Sequence, residues 1–159
     1  MEKISDILCK VYNIEWTNLN ILECGANRSG SETEYFTPNN ECWYLEPNKI
    51  EYKKLSTIRK NTLNVALSNI NGVIDFINCE NSGYSSCEYS KEQMDELVEL
   101  KQNKFNKTKV QSITYDELLK KLNLIFDVFV LDVEGHEITI LKTLKNLDII
   151  KLPKIIVMR

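Results

Sequence analysis

The sequence predicts an α/β fold with a doubly wound, mostly parallel sheet, and three features carry this prediction. An apolar run at Asn20–Cys24 leads directly into Gly25. A second apolar run ends at Glu46, 21 positions after Gly25, which is the spacing at which a β-α-β unit brings a glycine turn and an acid to one nucleotide-type ligand. A third run, Ile125–Leu131, is interrupted only by Asp127, as in a strand buried on both faces.

The composition is typical of a single globular domain, which we expect to span residues 1–159. Of the 159 residues, 27% are charged and 43% are hydrophobic, and a chain of this length buries roughly 68–70% of its unfolded surface. The formal net charge of −3 provides no basic field for phosphate backbones, so no nucleic-acid partner is predicted. The five cysteines form no C-x-x-C pair, so neither a disulfide framework nor a zinc knuckle is predicted.

The amino terminus does not have the character of a secretion signal. Glu2, Lys3 and Asp6 place charges where a signal peptide needs an apolar core, and no apolar stretch comes near membrane-spanning length. Together with thiols that we expect to be reduced, these features predict a cytoplasmic protein with no membrane partner.

The first half of the chain predicts alternating helices and strands. Apolar residues recur at helical spacing near the amino terminus, and proline and asparagine punctuate the segments that follow. The predicted elements are an amphipathic helix at about residues 1–13, a strand at Asn20–Cys24, a short helix after Gly30 through Thr37, a strand at Glu41–Glu46, a helix starting near Pro47–Asn48, and a strand at Leu63–Leu67.

The second half adds turn signals and helix caps. Asn71–Gly72 predicts a two-residue hairpin turn, and two capping-box patterns predict helix starts. The further elements are a strand at Val73–Ile77, a polar loop at Asn78–Cys87, a helix after Ser90 and Gln93, a strand at Lys109–Ile113, a helix after Thr114 and Glu117, the strand at Ile125–Leu131, a turn at Gly135, a helix through Ile138, Leu141 and Leu144, and a last strand at Lys154–Met158.

Four motifs together resemble the FkbM-type S-adenosylmethionine-dependent methyltransferases. They are Glu23–Asn27, Leu45–Asn48, Asn64–Ser68 and Leu131–Glu137, in the family's order. The resemblance implies a class I, Rossmann-like methyltransferase fold, S-adenosylmethionine as cofactor, and an oxygen acceptor on a sugar or a polyketide-type metabolite. The cofactor-binding residues that it implies are Glu23, Gly25, Ala26, Asn27, Gly30, Glu46, Pro47, Ala66, Leu67, Ser68 and Asp132.

The chemistry of the first motif favours this cofactor over a dinucleotide. A pyrophosphate needs glycine where it approaches the backbone, and Asn27 stands at that position. S-adenosylmethionine instead offers an ammonium group, a carboxylate and ribose hydroxyls. We expect Glu23 near the ammonium group, the amides around Asn27–Gly30 to receive the carboxylate at a helix start, and Glu46 to take the ribose diol. Gly25 would let the backbone approach the ligand.

These roles have structural alternatives, and Glu46, like Glu23, could simply be an acid at a strand end. Glu23 could be an acid at a strand end that pairs with Arg28 on the surface. Ala66–Ser68 could be the end of a core strand, since only the resemblance places these residues beside the adenine.

Asp132 and His136 are the candidate catalytic residues. Asp132 follows the central strand, where doubly wound sheets bind ligands, and could contact the methionine moiety or position the acceptor; the alternative is a helix cap. His136 is the single histidine and could act as a general base, or it could be structural. Glu134 and Glu137 are predicted to be solvated acids near a helix start.

Two segments could affect activity or association. The loop at Asn78–Cys87 is predicted to form part of a lid, because it is rich in serine. The chain stops at Ile155–Arg159, where members of this fold usually continue with an antiparallel hairpin, so we expect either a truncated chain, a domain that has lost full activity, or homo-oligomerisation through this edge strand.

The sequence leaves three candidate functions. The first is O-methylation of a small-molecule or glycan acceptor. The second is a degenerate methyltransferase-like domain that binds cofactor or a protein partner without turnover. The third is a metal-dependent hydrolase using Asp132, Glu134, His136 and Glu137. It is disfavoured because four side chains within six consecutive residues cannot all converge on one ion from a strand end and a helix start. No metal site is predicted.

Overall fold

A five-stranded parallel sheet forms the centre of the computed structural model, which describes residues 17–35, 39–89, 91–99 and 104–159. The helix predicted at residues 1–13 lies outside these ranges. The sheet has the order β3-β2-β1-β7-β8, and all its neighbours run parallel. Its strands are β1 (Asn20–Cys24), β2 (Glu41–Leu45), β3 (Asn61–Leu63), β7 (Val128–Leu131) and β8 (Ile155–Met158). The predicted mostly parallel α/β architecture is therefore confirmed.

A second sheet of three strands is inserted between β3 and β7. It consists of β4 (Ala66–Leu67), β5 (Gly72–Cys79) and β6 (Phe105–Ile113) in the order β4-β6-β5. The predicted strand at Leu63–Leu67 is thus divided between two sheets. The side-chain amide of Asn64 donates to the carbonyl oxygens of Glu46 and Pro47 at 2.8 and 3.0 Å, at the point where the chain passes from one sheet to the other.

The hairpin predicted at Asn71–Gly72 is wrong. β4 and β5 do not pair with each other, because β6 lies between them: Ser112 of β6 is the register partner of both Ala66 and Gly72. The Asn71 side chain instead accepts a hydrogen bond from the amide of Thr114 at 2.8 Å. A strand that follows some 40 positions later therefore overrides the local turn signal.

Four α-helices are described: α1 (Lys49–Ile58), α2 (Lys91–Glu99), α3 (Tyr115–Leu122) and α4 (Glu137–Leu144). Thr114 caps α3 by accepting from the amide of Glu117, as predicted. Asn48, near the predicted start of α1, caps that helix by accepting from the amides of Ile50 and Glu51. Ser90, the other predicted cap, lies outside the described residues. The short helix expected after Gly30 is a 3₁₀ turn at Glu32–Tyr35 in the described region.

The core lies on both faces of the central sheet. Leu22, Leu45 and Phe129 pack on one face, and Ile21 and Val130 on the other. All four residues of β7 are buried, as predicted for a central strand. In the part of the chain that the structure describes, no helix is long and apolar enough to cross a bilayer.

Candidate cofactor site

A cleft of about 520 Å³ opens at the carboxyl ends of β1, β2 and β7. Its volume lies in the range of small-molecule sites, and its place at the sheet edge is where doubly wound folds bind ligands. It brings together ten of the predicted site residues: Glu23, Gly25, Ala26, Asn27, Glu46, Pro47, Ala66, Leu67, Asp132 and His136. Gly30 and Ser68 do not line it.

The two predicted glycines are required by packing. Gly25 has φ +79°, and a Cβ there would lie 1.8 Å from the carbonyl oxygen of Asp132, because the ends of β1 and β7 meet at this point. A Cβ on Gly30 would lie 2.5 Å from the ring of Tyr44. The close approach that Gly25 permits is therefore to β7, although the residue also lines the cleft.

Glu23 is a buried carboxylate at the end of β1. It is 2% exposed and accepts a hydrogen bond from the amide of Thr33 at 3.0 Å. Burial raises its pKa to about 7, against the lowering effect of the Thr33 and Glu32 amides. The alternative pairing with Arg28 is wrong, because Arg28 lies 3.3 Å from Glu51 instead.

Arg59 organises the segment that reaches Glu23. Its guanidinium donates to the carbonyl oxygens of Ser29 and Gly30 at 2.8 and 3.1 Å and to Glu34 at 2.6 Å, and it lies over the ring of Tyr44. This planar fork holds the segment from residue 29 to residue 34 against α1 and β2. Sequence reasoning missed Arg59, since an arginine at a helix end carries no local signal of such contacts.

Glu46 is the second buried carboxylate of the cleft, directly after β2. It is 5% exposed and accepts from the amide of Asn27 at 2.7 Å and from that of Asn48 at 2.6 Å. Burial raises its pKa to about 7, although both amide bonds lower it. Each carboxylate oxygen keeps a further lone pair, so a ligand hydroxyl can still donate to Glu46.

Three of the four amides expected to receive a carboxylate, those of Asn27, Arg28 and Gly30, already have acceptors within the chain. Asn27 donates to Glu46, Arg28 donates to the Asn27 side chain, and Gly30 donates to the carbonyl of Ala26. A ligand carboxylate would have to displace these acceptors. Of the described residues that line the cleft, Arg28 and Arg159 carry positive charge.

The second sheet supplies an apolar wall. Ala66, Leu67 and Phe76 are buried and line the cleft, and the first two are the residues that the resemblance placed beside the adenine. Phe76 was missed, because the sequence does not reveal that β5 reaches this cleft. Ser68 follows the wall but does not line the cleft, and its hydroxyl lies 3.0 Å from Nε2 of His136.

His136 has both ring nitrogens engaged. Nε2 contacts Ser68, and Nδ1 lies 3.1 Å from the carboxylate of Glu88. The ring is buried, with the residue 6% exposed. A general base needs a free lone pair aimed at its substrate, so this arrangement favours the structural alternative for His136.

Asp132 lies at the end of β7 and lines the cleft. Burial raises the pKa of its carboxyl group, and Arg159 opposes this effect. Arg159 lies 4.0 Å from Asp132 and 2.6 Å from Glu32. Asp132 does not cap a helix, because α4 begins at Glu137, whose carboxylate itself accepts from the amide of Gly135 at 3.0 Å.

The described ranges contain no group of three or more His, Cys, Asp or Glu side chains placed to hold a metal ion. His136 and Glu137, two of the four residues in the hydrolase alternative, instead contact groups of the chain itself. The geometry therefore gives the metal-dependent alternative no support.

The segment from residue 80 to residue 87 forms a further wall. Its base is fixed by backbone hydrogen bonds between Ile77 and Ser86 at 2.8 and 3.0 Å. Nearer its tip, Ser82 donates to the Asn27 side chain and accepts from Arg28, both at 3.2 Å. A lid function for this segment stays a prediction.

The parallel sheet and the acids at the ends of β1 and β2 define an α/β domain of the Rossmann-like methyltransferase class. A family model described as the methyltransferase FkbM domain matches residues 23–159. The chain therefore belongs to the FkbM methyltransferase family. No curated protein and no solved structure gives a significant match.

Proposed function

We propose that the protein is an S-adenosylmethionine-dependent methyltransferase that methylates a hydroxyl group of a sugar or another small metabolite. The observation that carries this proposal is the pair of buried carboxylates, Glu23 and Glu46, which line one cleft at the ends of neighbouring strands. An apolar wall adjoins them. Acids beside an apolar surface match a ligand that combines a cation, a ribose diol and a purine.

Each part of the cofactor has a partner in the cleft. Glu46 would accept from the ribose hydroxyls, and Ala66, Leu67 and Phe76 would contact the purine. Glu23 would attract the ammonium group. When bound, the cofactor supplies an electrophilic methyl group on its sulfonium.

The carboxylate of the cofactor needs a donor other than the engaged amides. Arg28 and Arg159 line the cleft. Arg28 pairs with Glu51 and Arg159 with Glu32, and a guanidinium has enough N–H donors to contact a ligand carboxylate as well. We assign this role to these two side chains in place of the amides from Asn27 to Gly30.

The chain itself has two tasks in methyl transfer, which are alignment and proton removal. Asp132 is the better candidate base, because its carboxylate lines the cleft whereas both nitrogens of His136 are engaged. Burial raises the pKa of Asp132, which makes its carboxylate a stronger base. The wall from residue 80 to residue 87 would help to exclude water.

Calorimetric titration with S-adenosylhomocysteine tests the cofactor assignment. We expect Glu46→Ala to weaken binding roughly 10- to 100-fold, since hydrogen bonds to a charged group contribute about 1.5–3 kcal/mol. Glu46→Gln provides a second variant of similar size. Glu117→Ala, at an exposed position of α3, is the control and should bind like the wild type. Undiminished binding by both Glu46 variants, or no binding by the wild type, would contradict the proposal.

Transfer of a labelled methyl group to a panel of sugars and small hydroxylated metabolites tests turnover. We expect transfer to at least one acceptor, and a strong loss of transfer in Asp132→Asn with little change in S-adenosylhomocysteine affinity. Binding of the cofactor without transfer to any acceptor would instead favour the non-catalytic alternative.

A further inference from the structure

Three side chains from three separate parts of the fold, of which only His136 lines the cleft, are joined in one series of hydrogen bonds. The carboxylate of Glu88, in the segment after β5, lies 3.1 Å from Nδ1 of His136, which directly precedes α4. Nε2 of the same ring lies 3.0 Å from the hydroxyl of Ser68, directly after β4. These two contacts join His136 to Glu88, 48 positions away, and to Ser68, 68 positions away.

The chemistry of Glu88 fixes the direction of its hydrogen bond with His136. Hydrogen bonds from Thr139 and His136 hold its pKa below the usual value, so the carboxylate is ionised at neutral pH and can only accept. Nδ1 of His136 must therefore carry the proton. In the neutral ring Nε2 is then an acceptor. The single hydroxyl proton of Ser68 has two acceptors in reach, which are Nε2 at 3.0 Å and Oδ1 of Asn69 at 3.2 Å.

Ser68, His136 and Glu88 follow one another as in a serine–histidine–acid triad. The burial of Ser68 nevertheless excludes its hydroxyl as a nucleophile. Ser68 is 2% exposed and does not line the cleft, so no substrate carbonyl can reach its hydroxyl. These hydrogen bonds instead hold the end of β4 in place. Ser68 directly follows Ala66 and Leu67, which form the apolar wall, and its amide donates to the carbonyl of Ile113 at 3.0 Å.

We propose that Glu88 and His136 are positioning residues for cofactor binding: together they fix Ser68, and through it the part of the wall formed by Ala66 and Leu67. This inference rests on the proposed function. Glu88 does not line the cleft, so its effect on the wall would pass through the imidazole ring. Its side chain is 59% exposed, so replacing it removes one hydrogen-bonding partner of the ring without opening a cavity in the core.

The tautomer of His136 can be measured directly, because His136 is the single histidine of the chain. Nitrogen-15 NMR of the ring should show the proton on Nδ1 in the wild-type protein. Glu88→Ala should lose this tautomer preference and raise the Kd for S-adenosylhomocysteine about tenfold, which corresponds to about 1.4 kcal/mol.

Glu88→Gln is the conservative variant, since its amide oxygen can still accept from Nδ1. We expect it to restore both the tautomer and the affinity to within about threefold, a rescue that a purely electrostatic effect of the lost charge would not give. Thr139→Val removes the other hydrogen bond to the same carboxylate, 2.9 Å long, and should leave the tautomer unchanged.

The outcomes separate this inference from the proposed function. Wild-type binding of S-adenosylhomocysteine that Glu88→Ala leaves unchanged would overturn the inference alone, as would a wild-type ring with its proton on Nε2. A wild-type protein with the expected tautomer but no affinity for S-adenosylhomocysteine would overturn the proposed function, and the positioning role with it.

Discussion

Glu23 and Glu46 are acids whose protonation depends on where the fold places them. Both are almost fully buried, and burial is the largest cause of their raised pKa values. Their positions at strand ends could be predicted from the sequence. Their burial could not, because it depends on the segment from residue 29 to residue 34 and on the second sheet.

The raised pKa values predict that stability falls as the pH rises. A group whose pKa is higher in the folded than in the unfolded state contributes stability below the unfolded value, here about 4.5, and loses it as the pH passes the folded value of about 7. We expect Tm, followed by circular dichroism, to fall between about pH 5 and pH 8. This fall in Tm should be smaller in Glu46→Gln than in the wild type, and it should be the same in Glu117→Gln as in the wild type. An equal pH dependence in all three proteins would contradict the assignment.

Adding a single methyl group at Gly25 should strongly destabilise the fold. A Cβ would overlap the carbonyl of Asp132 and force a side chain into positive φ. We expect Gly25→Ala to lower the free energy of unfolding by roughly 3–5 kcal/mol in urea denaturation. Gly83→Ala is the matched control, since its new Cβ would meet Asn81 only at an ordinary 3.5 Å. Equal stability of the two variants would show that the ends of β1 and β7 can separate.

At the scale of elements, the connections between strands shape the cleft. The 3₁₀ turn after β1 presents Thr33 to Glu23, and Arg59 holds that turn to α1. The cap of α1 could be predicted because Asn48 acts on its own neighbours in sequence. The contacts of Arg59 could not, because their partners lie 25 to 30 positions away.

Replacing Arg59 tests this connection. Arg59→Lys keeps the charge but loses the planar fork that contacts three groups at once, so we expect a loss of roughly 1–3 kcal/mol in the free energy of unfolding. Affinity for S-adenosylhomocysteine should also fall, because the turn that holds Glu23 loosens. Lys60→Ala, at the exposed neighbouring position, should change neither quantity. A variant with wild-type affinity and stability would remove the role given to Arg59.

At the scale of the whole molecule, β8 forms one edge of the five-stranded sheet. Ile156 and Met158 on this strand are 40% and 58% exposed, and an edge strand presents backbone groups that another chain can pair with. Homo-oligomerisation through β8 stays a prediction: light scattering should give a molar mass that rises with protein concentration. Ile156→Lys should suppress this increase in molar mass. A wild-type protein that keeps the mass of a monomer at every concentration would contradict association through β8.

The sequence by itself determined the parallel α/β architecture and both acids of the cleft. Apolar runs, glycine turns and helix caps act over a few residues, so β1, β2, β7, α1 and α3 could be predicted close to their observed positions. The family resemblance was carried by the same strand-end motifs, and the match over residues 23–159 confirms it.

The tertiary structure alone decided how these parts complete the site. The pairing of β6 between β4 and β5, the engaged amides around Asn27, and the chain from Glu88 through His136 to Ser68 join groups that are distant in sequence. Hydrogen bonds of this kind depend on which elements the fold brings together, and no local pattern of residues encodes that.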